Sequence, residues 1–254
     1  MVGQDGKLPL PWLGAPLQEA LRTQRGHALL IHGPQGIGQF ELALTLAQAW
    51  LCETNPKQQP CGTCASCRLV QAHSHPDLLG LLPEALRESL GWGSAEEGDD
   101  GEGKASKAKP SKEIKVEAVR AAVSFAQSTS ARGRRKVVVI HPAERMNAIA
   151  ANTLLKTLEE PPGAARFVLS CGAPDALLPT IRSRCQSVAL GLPPSEQAAA
   201  WLTAQGVANA AVMLAATGGQ PQEALAWSQQ GIDAALWARL PSLVAQGMPQ
   251  ALMT

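Results

Sequence analysis

The stretch Gly33-Pro34-Gln35-Gly36-Ile37-Gly38-Gln39-Phe40 constrains this chain's fold more than any other part of it. Its glycines have the spacing of a phosphate-binding loop, G-x-x-x-x-G-K-[ST], which joins a buried strand to a helix. The preceding run His27 to His32 (HALLIH) reads as that strand, and the run from Glu41 to Leu51 as that helix. In a working loop, backbone N–H groups cradle the phosphates, the lysine neutralises the outer oxygens and the hydroxyl holds Mg²⁺. Here Gln39 stands at the lysine position and Phe40 at the hydroxyl position. The glycines alone govern the turn, so its backbone conformation can outlast those two side chains. The chemistry cannot. Gly33, Gly36, Gly38, Gln39 and Phe40 therefore read as a degenerate phosphate loop, with no ATP or Mg²⁺ expected on this chain. From the motif alone, an ordinary glycine-rich strand-to-helix turn is the other reading.

Beyond the loop, strand and helix signals alternate. A strand is expected near Asp77 to Leu82, a helix over Val116 to Gln127, a strand at Val137-Val138-Val139-Ile140 and a helix from Met146 to Glu160 stopped by Pro161-Pro162-Gly163. Another buried strand runs from Arg166 to Cys171. Alternation of this kind implies an α/β fold with a parallel sheet covered on both faces. Residues Gly91 to Lys112 break the pattern. Acids at Glu96, Glu97, Asp99, Asp100 and Glu102 give way to Lys104, Lys107, Lys109 and Lys112, and so little apolar surface predicts a flexible loop. Beyond Leu192 the strand signal ends. Helices are expected from Ser195 to about Gln205, about Val207 to Ala216 and Gln220 to Gln229, then Ile232 to Leu240 and Ser242 to about Gln246. The expected organisation is a first domain over 1–191, a small helical domain over 192–230 and the start of a further helical unit over 231–254.

The 254 residues, 45% of them hydrophobic, suffice for one large core and a small one. With 22 Lys and Arg against 21 Asp and Glu, the net charge of +1 exerts no overall pull toward nucleic acid. Any such contact would be local, and Arg132, Arg134, Arg135 and Lys136 form the candidate patch. No apolar run approaches the ~20 residues of a membrane span, and Met1 to Lys7 lacks the pattern of an export signal, so a cytoplasmic location without a membrane partner is expected.

Four of the six cysteines follow the spacing Cys52-x8-Cys61-x2-Cys64-x2-Cys67. In a reducing compartment this cluster reads as metal binding before disulfides. Four thiolates complete a tetrahedral Zn²⁺ shell and leave no position for a reactive water, so the expected ion is structural. The nearby His73 and His75 are not required as ligands.

Three stretches carry a family resemblance. Ala150-Ala151-Asn152-Thr153-Leu154-Leu155-Lys156-Thr157-Leu158-Glu159-Glu160-Pro161-Pro162 resembles an A-N-x-L-L-K-x-L-E-E-P-P helix, Ser183-Arg184-Cys185 an S-R-C motif, and the cysteine spacing a zinc module inserted after the phosphate-loop helix. Together, over roughly residues 27 to 230, they resemble the AAA+ subunits of the bacterial DNA polymerase III sliding-clamp loader, nearest its delta′ type. The resemblance implies a ring with γ/τ ATPases and a δ subunit that opens the sliding clamp on primed DNA, as an accessory part of a DNA-directed DNA polymerase. It also implies that Arg184, flanked by Ser183 and Cys185, is an arginine finger acting in trans on a neighbour's nucleotide, with Arg182 as a candidate helper. Compared with ATPase members, His141-Pro142 replaces the Mg²⁺-binding and catalytic carboxylates, and Gln222 replaces a phosphate-sensing arginine. An imidazole and a proline supply no hard oxygen ligand and no general base, and a neutral amide supplies no charge for phosphate. Family members carry a third, helical collar domain, of which only a fragment could fit after Gln230. Two rival readings are an active γ/τ-like ATPase with a divergent loop and a zinc-dependent DNA-binding module.

Overall fold

The computed structural model describes residues 1–54, 58–93 and 109–245. Five strands form one sheet: β1 (Ala28–His32), β2 (Leu78–Leu81), β3 (Val137–Ile140), β4 (Arg166–Cys171) and β5 (Gln186–Ala189). They lie in the order β2-β3-β4-β1-β5, and every neighbouring pair is parallel. The β1 strand lies between β4 and the edge strand β5, with Leu29 opposite Val168 on one side and Gln186 on the other. Chain order reverses around it, and the crevice outside the carboxyl ends of the strands at such a point is where open α/β sheets bind ligands.

Side chains alternate between the two faces of a strand, so each face builds its own core. On one face α1 (Gly14–Thr23) and α2 (Gln39–Leu51) cover Leu29, Ile31, Val137, Val139 and Val168. Every residue of α2 except Glu41 is buried. A helix apolar on all sides must lie inside the molecule, and here the N-terminal segment forms its outer cover. Val2 is fully buried and its backbone exchanges hydrogen bonds with the Gln48 amide, at 2.7 and 3.0 Å, which satisfies the one long polar side chain within that helix's interior.

The other face holds Leu30, Val138, Ile140, Phe167 and Leu169 against the later helices. After α3 (Ala65–Gln71) and the single turn α4 (Glu84–Arg87) come α5 (Val116–Gln127) and α6 (Ala148–Glu159), which pack side by side there. Asn147 caps α6 by accepting the Ala150 N–H at 2.9 Å, so this helix starts two residues later than the sequence pattern suggests.

The short α7 (Pro179–Arg182) leads into β5, which the sequence reading does not anticipate. Residues of β5 alternate between half-buried and exposed, as expected at a sheet edge where polar residues are tolerated. Beyond it α8 (Ser195–Ala204), α9 (Ala210–Ala216) and α10 (Pro221–Gln229) bury a separate small core around Leu202, Met213 and Ala224. Trp201 of α8 meets Trp12 edge-on at 5.5 Å, joining the helical unit to the sheet's cover. A single helix, α11 (Ala234–Ala245), replaces the two expected after Ile232, with Pro241 inside it. Of the expected insert at 91–112, residues 94–108 lie outside the described residues, as do 246–254 at the chain's end.

Candidate functional site

The phosphate-loop backbone forms as the glycines require. Gly38, at φ 104°, caps α2 in the left-handed region, and a Cβ there would lie 2.5 Å from Leu10 Cδ1. A Cβ on Gly33 would lie 2.1 Å from the Leu190 carbonyl oxygen. The loop opens on a cavity of about 360 Å³ at the carboxyl end of the sheet, bordered among others by Gln39, Phe40, His141, Glu144 and Gln222.

The chain's own side chains occupy the phosphate-handling positions. Gln39, buried, turns back and donates its amide to the Gly33 carbonyl at 2.8 Å and also to the Pro34 carbonyl. Phe40 stacks on His141, with ring centroids 4.5 Å apart and an interplanar angle of 23°. His141 shares a 2.9 Å hydrogen bond with Ser170 through Nδ1, and burial depresses its pKa from 6.5 to about 4. Gln222, at the start of α10, donates its backbone N–H to the Gly36 carbonyl at 3.0 Å and its amide to Glu41 Oε1 at 2.5 Å. Glu144 Oε1 accepts the Gly172 N–H at 2.9 Å. The charged groups among these cavity residues are carboxylates, which repel a polyphosphate.

The cysteine cluster is assembled. The sulfurs of Cys52, Cys61, Cys64 and Cys67 all lie within 4.8 Å of one another. Cys52 to Cys61 measures 3.7 Å and Cys61 to Cys67 3.9 Å, against the ~3.8 Å edge of a tetrahedron with ~2.3 Å metal–sulfur bonds. Backbone N–H groups of Cys64 and Cys67 point at the Cys61 and Cys64 sulfurs, at 3.3 and 3.4 Å, and stabilise thiolates there. Burial works to raise the Cys61 thiol, yet hydrogen bonds from Thr54, Thr63 and Cys64 pull it down to about 5, while burial pushes Cys67 up. The four residues fit a divalent metal ion with a preference for sulfur.

A polar network clamps this module to the sheet. Glu53 accepts from Arg132 at 2.6 Å and from the Ser66 hydroxyl at 2.8 Å, and Ser66 Oγ in turn lies 3.1 Å from Arg132 Nε and 3.2 Å from His75 Nε2. His75 Nδ1 accepts the Asp77 N–H at 3.0 Å, so its proton sits on Nε2 facing Ser66. Burial lowers the pKa of His75, consistent with this neutral form. Asp77 is fully buried and accepts from Ala131 N, Arg132 N, Ser130 Oγ and Lys136 Nζ, at 2.7 to 3.1 Å. Two members of the candidate nucleic-acid patch are thus tied into the fold: Arg132 pairs with Glu53, and Lys136 is buried against Asp77 and the Phe125 ring.

Arg184 lies away from the residues bordering the chain's own phosphate loop. Its Nε donates to Glu159 Oε1 at 2.7 Å, Nη2 binds the same oxygen, and Nη1 donates to the Thr180 carbonyl at 2.8 Å and reaches Ser183 Oγ at 3.4 Å. A guanidinium carries about five N–H donors, so one Nη2 hydrogen remains. The Ser183 hydroxyl donates to the Thr180 carbonyl at 3.2 Å, burial pushes Cys185 up to about 12, and Arg182 pairs with Asp175 at 2.9 Å.

A sequence model of the family described as "DNA polymerase III, delta subunit" matches residues 14–193. The chain belongs to that family. The DNA polymerase III subunit delta′ of Pseudomonas aeruginosa is 37% identical to it over 227 residues, covering 85% of this chain and 62% of the relative. The subunit delta′ of Yersinia pestis is 37% identical over 199 residues, covering 77% of this chain and 52% of the relative. The delta-family chain therefore spans about half to six-tenths of the length of these relatives. A DNA polymerase III gamma subunit-related protein from Thermotoga maritima shares the AAA+ type of fold, with a TM-score of 0.50 at 23% identity over 83% of this chain and 55% of that one.

In this delta-family chain the expected ligands Cys52, Cys61, Cys64 and Cys67 converge, and so do the degenerate loop, His141 and Gln222. Ser183 and Arg184 meet at one hydrogen bond, while Cys185 packs against the apolar core beneath α6. Three functional details escape sequence reasoning: the Gln39 amide closing the loop, the Gln222–Glu41 bond and the Glu159–Arg184 pair. Each joins residues whose separation in the chain carries no pattern, although an acid ending the α6 motif helix and an arginine in the next motif do hint at the last.

Proposed function

We propose that this chain is the delta′-type, non-hydrolysing subunit of a cytoplasmic clamp loader, assembled with γ/τ ATPases and a δ subunit to open the sliding clamp around primed DNA. The observation that carries the non-hydrolysing part is the filled cradle: the Gln39 amide on the loop carbonyls and Phe40 stacked on His141 stand where a lysine, a hydroxyl and a metal ligand would have to be. A neutral amide neutralises no phosphate, and a phenyl ring binds no metal. On this reading residues 1–191 form the AAA+ core, 192–230 its helical lid, and 231–254 begin a collar that the longer relatives would continue.

The other part of the proposal assigns Arg184 to a neighbour's site. Glu159 and Thr180 hold its guanidinium in one orientation, which lowers the entropy lost when it meets a γ-phosphate. Ser183 and Cys185 then act on the shape of that segment and do not touch the nucleotide. Fingers of this kind contribute about 10³- to 10⁵-fold in rate. In a loader reconstituted with γ/τ and δ, Arg184→Ala should lower DNA-dependent ATP hydrolysis and clamp loading by orders of magnitude while the subunits still co-elute. Unchanged hydrolysis in an intact assembly would refute the finger. Titration calorimetry of the chain alone with ATP and Mg²⁺ tests the filled cradle, and micromolar binding contradicts it. The proposed ion in the four-cysteine site is structural Zn²⁺, checked by atomic absorption on reduced protein.

A further inference from the structure

At the amino end of the sheet, opposite the phosphate loop and where β3 and β4 begin, a cavity of about 290 Å³ opens beside the C-terminal ends of α5 and α6. Ser128, Thr129, Arg134, Arg135 and Gly163 are among the residues bordering it. Arg166, first residue of β4, brings a third guanidinium near Arg135. The Nε atoms of Arg135 and Arg166 are buried and bonded to nothing among the described residues. Arg134 Nη2 and Arg166 Nη1 reach only neutral acceptors, the Glu53 and Gly26 carbonyls, each at 2.8 Å.

No carboxylate among the described residues lies within 4.0 Å of these three arginines. The nearby acids are already engaged, Asp77 with Lys136 and Glu53 with Arg132. Helix ends contribute about half a negative charge each, so the ends of α5 and α6 offset only about one of the three positive charges. Burial, then repulsion from Arg166 and Arg134, lowers the pKa of Arg135, which marks a charge missing its counter-ion. A guanidinium presents a planar fork of donors that matches a tetrahedral oxyanion.

We propose that this cavity is a binding site for a phosphate group, with Arg135 as its central ligand and Arg134 and the Thr129 hydroxyl at its rim. A free phosphate and the phosphodiester backbone of nucleic acid share that chemistry. The site is separate from the phosphate loop and does not depend on the proposed role in the loader.

The test uses the full chain, titrated with inorganic phosphate at constant ionic strength and followed by calorimetry and thermal unfolding. Phosphate should bind and raise the unfolding temperature. Arg135→Gln should weaken binding by about ten-fold or more, the scale of one charge-assisted hydrogen-bonded contact, and Arg135→Lys should fall between the two. In phosphate-free buffer Arg135→Gln should unfold no earlier than the wild type, because it removes an uncompensated buried charge, and this keeps loss of binding distinct from loss of fold. Equal phosphate affinity in wild type and Arg135→Gln overturns the proposal, as does the absence of both phosphate binding and Arg135-dependent DNA binding. Anisotropy with a labelled primed DNA identifies the source. Binding that depends on Arg135 and is competed by phosphate supports the site and assigns it to a nucleic-acid backbone; phosphate binding lost in Arg135→Gln with DNA binding unaltered supports it and assigns it to a free phosphate.

Discussion

The burial of His141 beside the glycine loop can be measured by titration. Its imidazole lies between Phe40 and Ser170, and burial holds its pKa at about 4 against 6.5 when exposed. At pH 7.5 the ring is neutral in both folded and unfolded chains, and the stability associated with its neutral form is fully present. As pH falls below 6.5, the unfolded chain takes up a proton that the folded chain refuses, so stability declines. One pKa unit corresponds to ~1.36 kcal/mol, so at pH 5 the loss is about 2 kcal/mol, and below pH 4 it levels off at about 3 kcal/mol. Against total stabilities of about 5–15 kcal/mol, that is a large share.

Other groups titrate in the same range, including His75 and the cysteine cluster, so the total acid sensitivity does not isolate this ring. The decisive quantity is a difference: urea unfolding of wild type and His141→Gln in parallel at pH 7.5, 6.5, 5.5 and 5.0. The wild type should lose about 2 kcal/mol more than the variant between the first and last of these. A difference that stays constant with pH, or an NMR titration of His141 with a midpoint near 6.5, would refute the reasoning that the ring is desolvated inside the cradle.

Asp77→Asn keeps the shape of the buried Asp77–Lys136 pair but leaves the lysine charge without its partner, a change that should cost about 3–5 kcal/mol by chemical denaturation. Burial works to raise the Asp77 carboxyl, but the Ala131 and Arg132 N–H groups, with Lys136 and Ser130, hold it below its ordinary value; this contribution is therefore present above pH ~4 and lost in acid below that. Cys64→Ser should abolish stoichiometric metal in atomic absorption and raise proteolysis around residues 52–71, since metal binding and local folding share free energy of about 10 kcal/mol for such sites. Gln39→Lys alone should leave ATP binding undetectable by calorimetry, because Phe40 and His141 still supply no metal ligand and the carboxylates bordering the cavity still repel phosphate. Leu154→Ala, at a fully buried position of α6, should cost about 2–5 kcal/mol by urea unfolding.

The central sheet was legible wherever burial on both faces forces a short apolar run, as in Val137–Ile140 and the Phe167-Val168-Leu169 centre of β4. Edge strand β5 carries Gln186 and Ser187, so it lacks that signal. The first helix is not anticipated for another reason: it opens on Gly14, Ala15 and Pro16, of which two are poor helix formers, and it packs against α2. Cysteine spacing disclosed the four-sulfur cluster, because residue identity and local spacing suffice to bring those thiols together. The network behind it was not disclosed. Glu53, Ser66, His75 and Asp77 come together through tertiary folding, and the one hint along the chain is a charged residue placed directly before the apolar strand β2.

The glycines of a phosphate loop persist beside Gln39 and Phe40 because of what they touch. Gly33 passes against the Leu190 carbonyl, where any side chain would collide, and Gly38 turns over Leu10 beneath the N-terminal cover. Gly36 presents its carbonyl to Gln222 at the head of α10, and a Cβ on it would press the Glu223 backbone at 3.1 Å. The loop thus joins strand β1, the buried helix α2, the N-terminal segment and the helical unit in one packed junction. Gln222 donates its N–H to the Gly36 carbonyl, so the chain's own bonds hold the helical unit on the sheet.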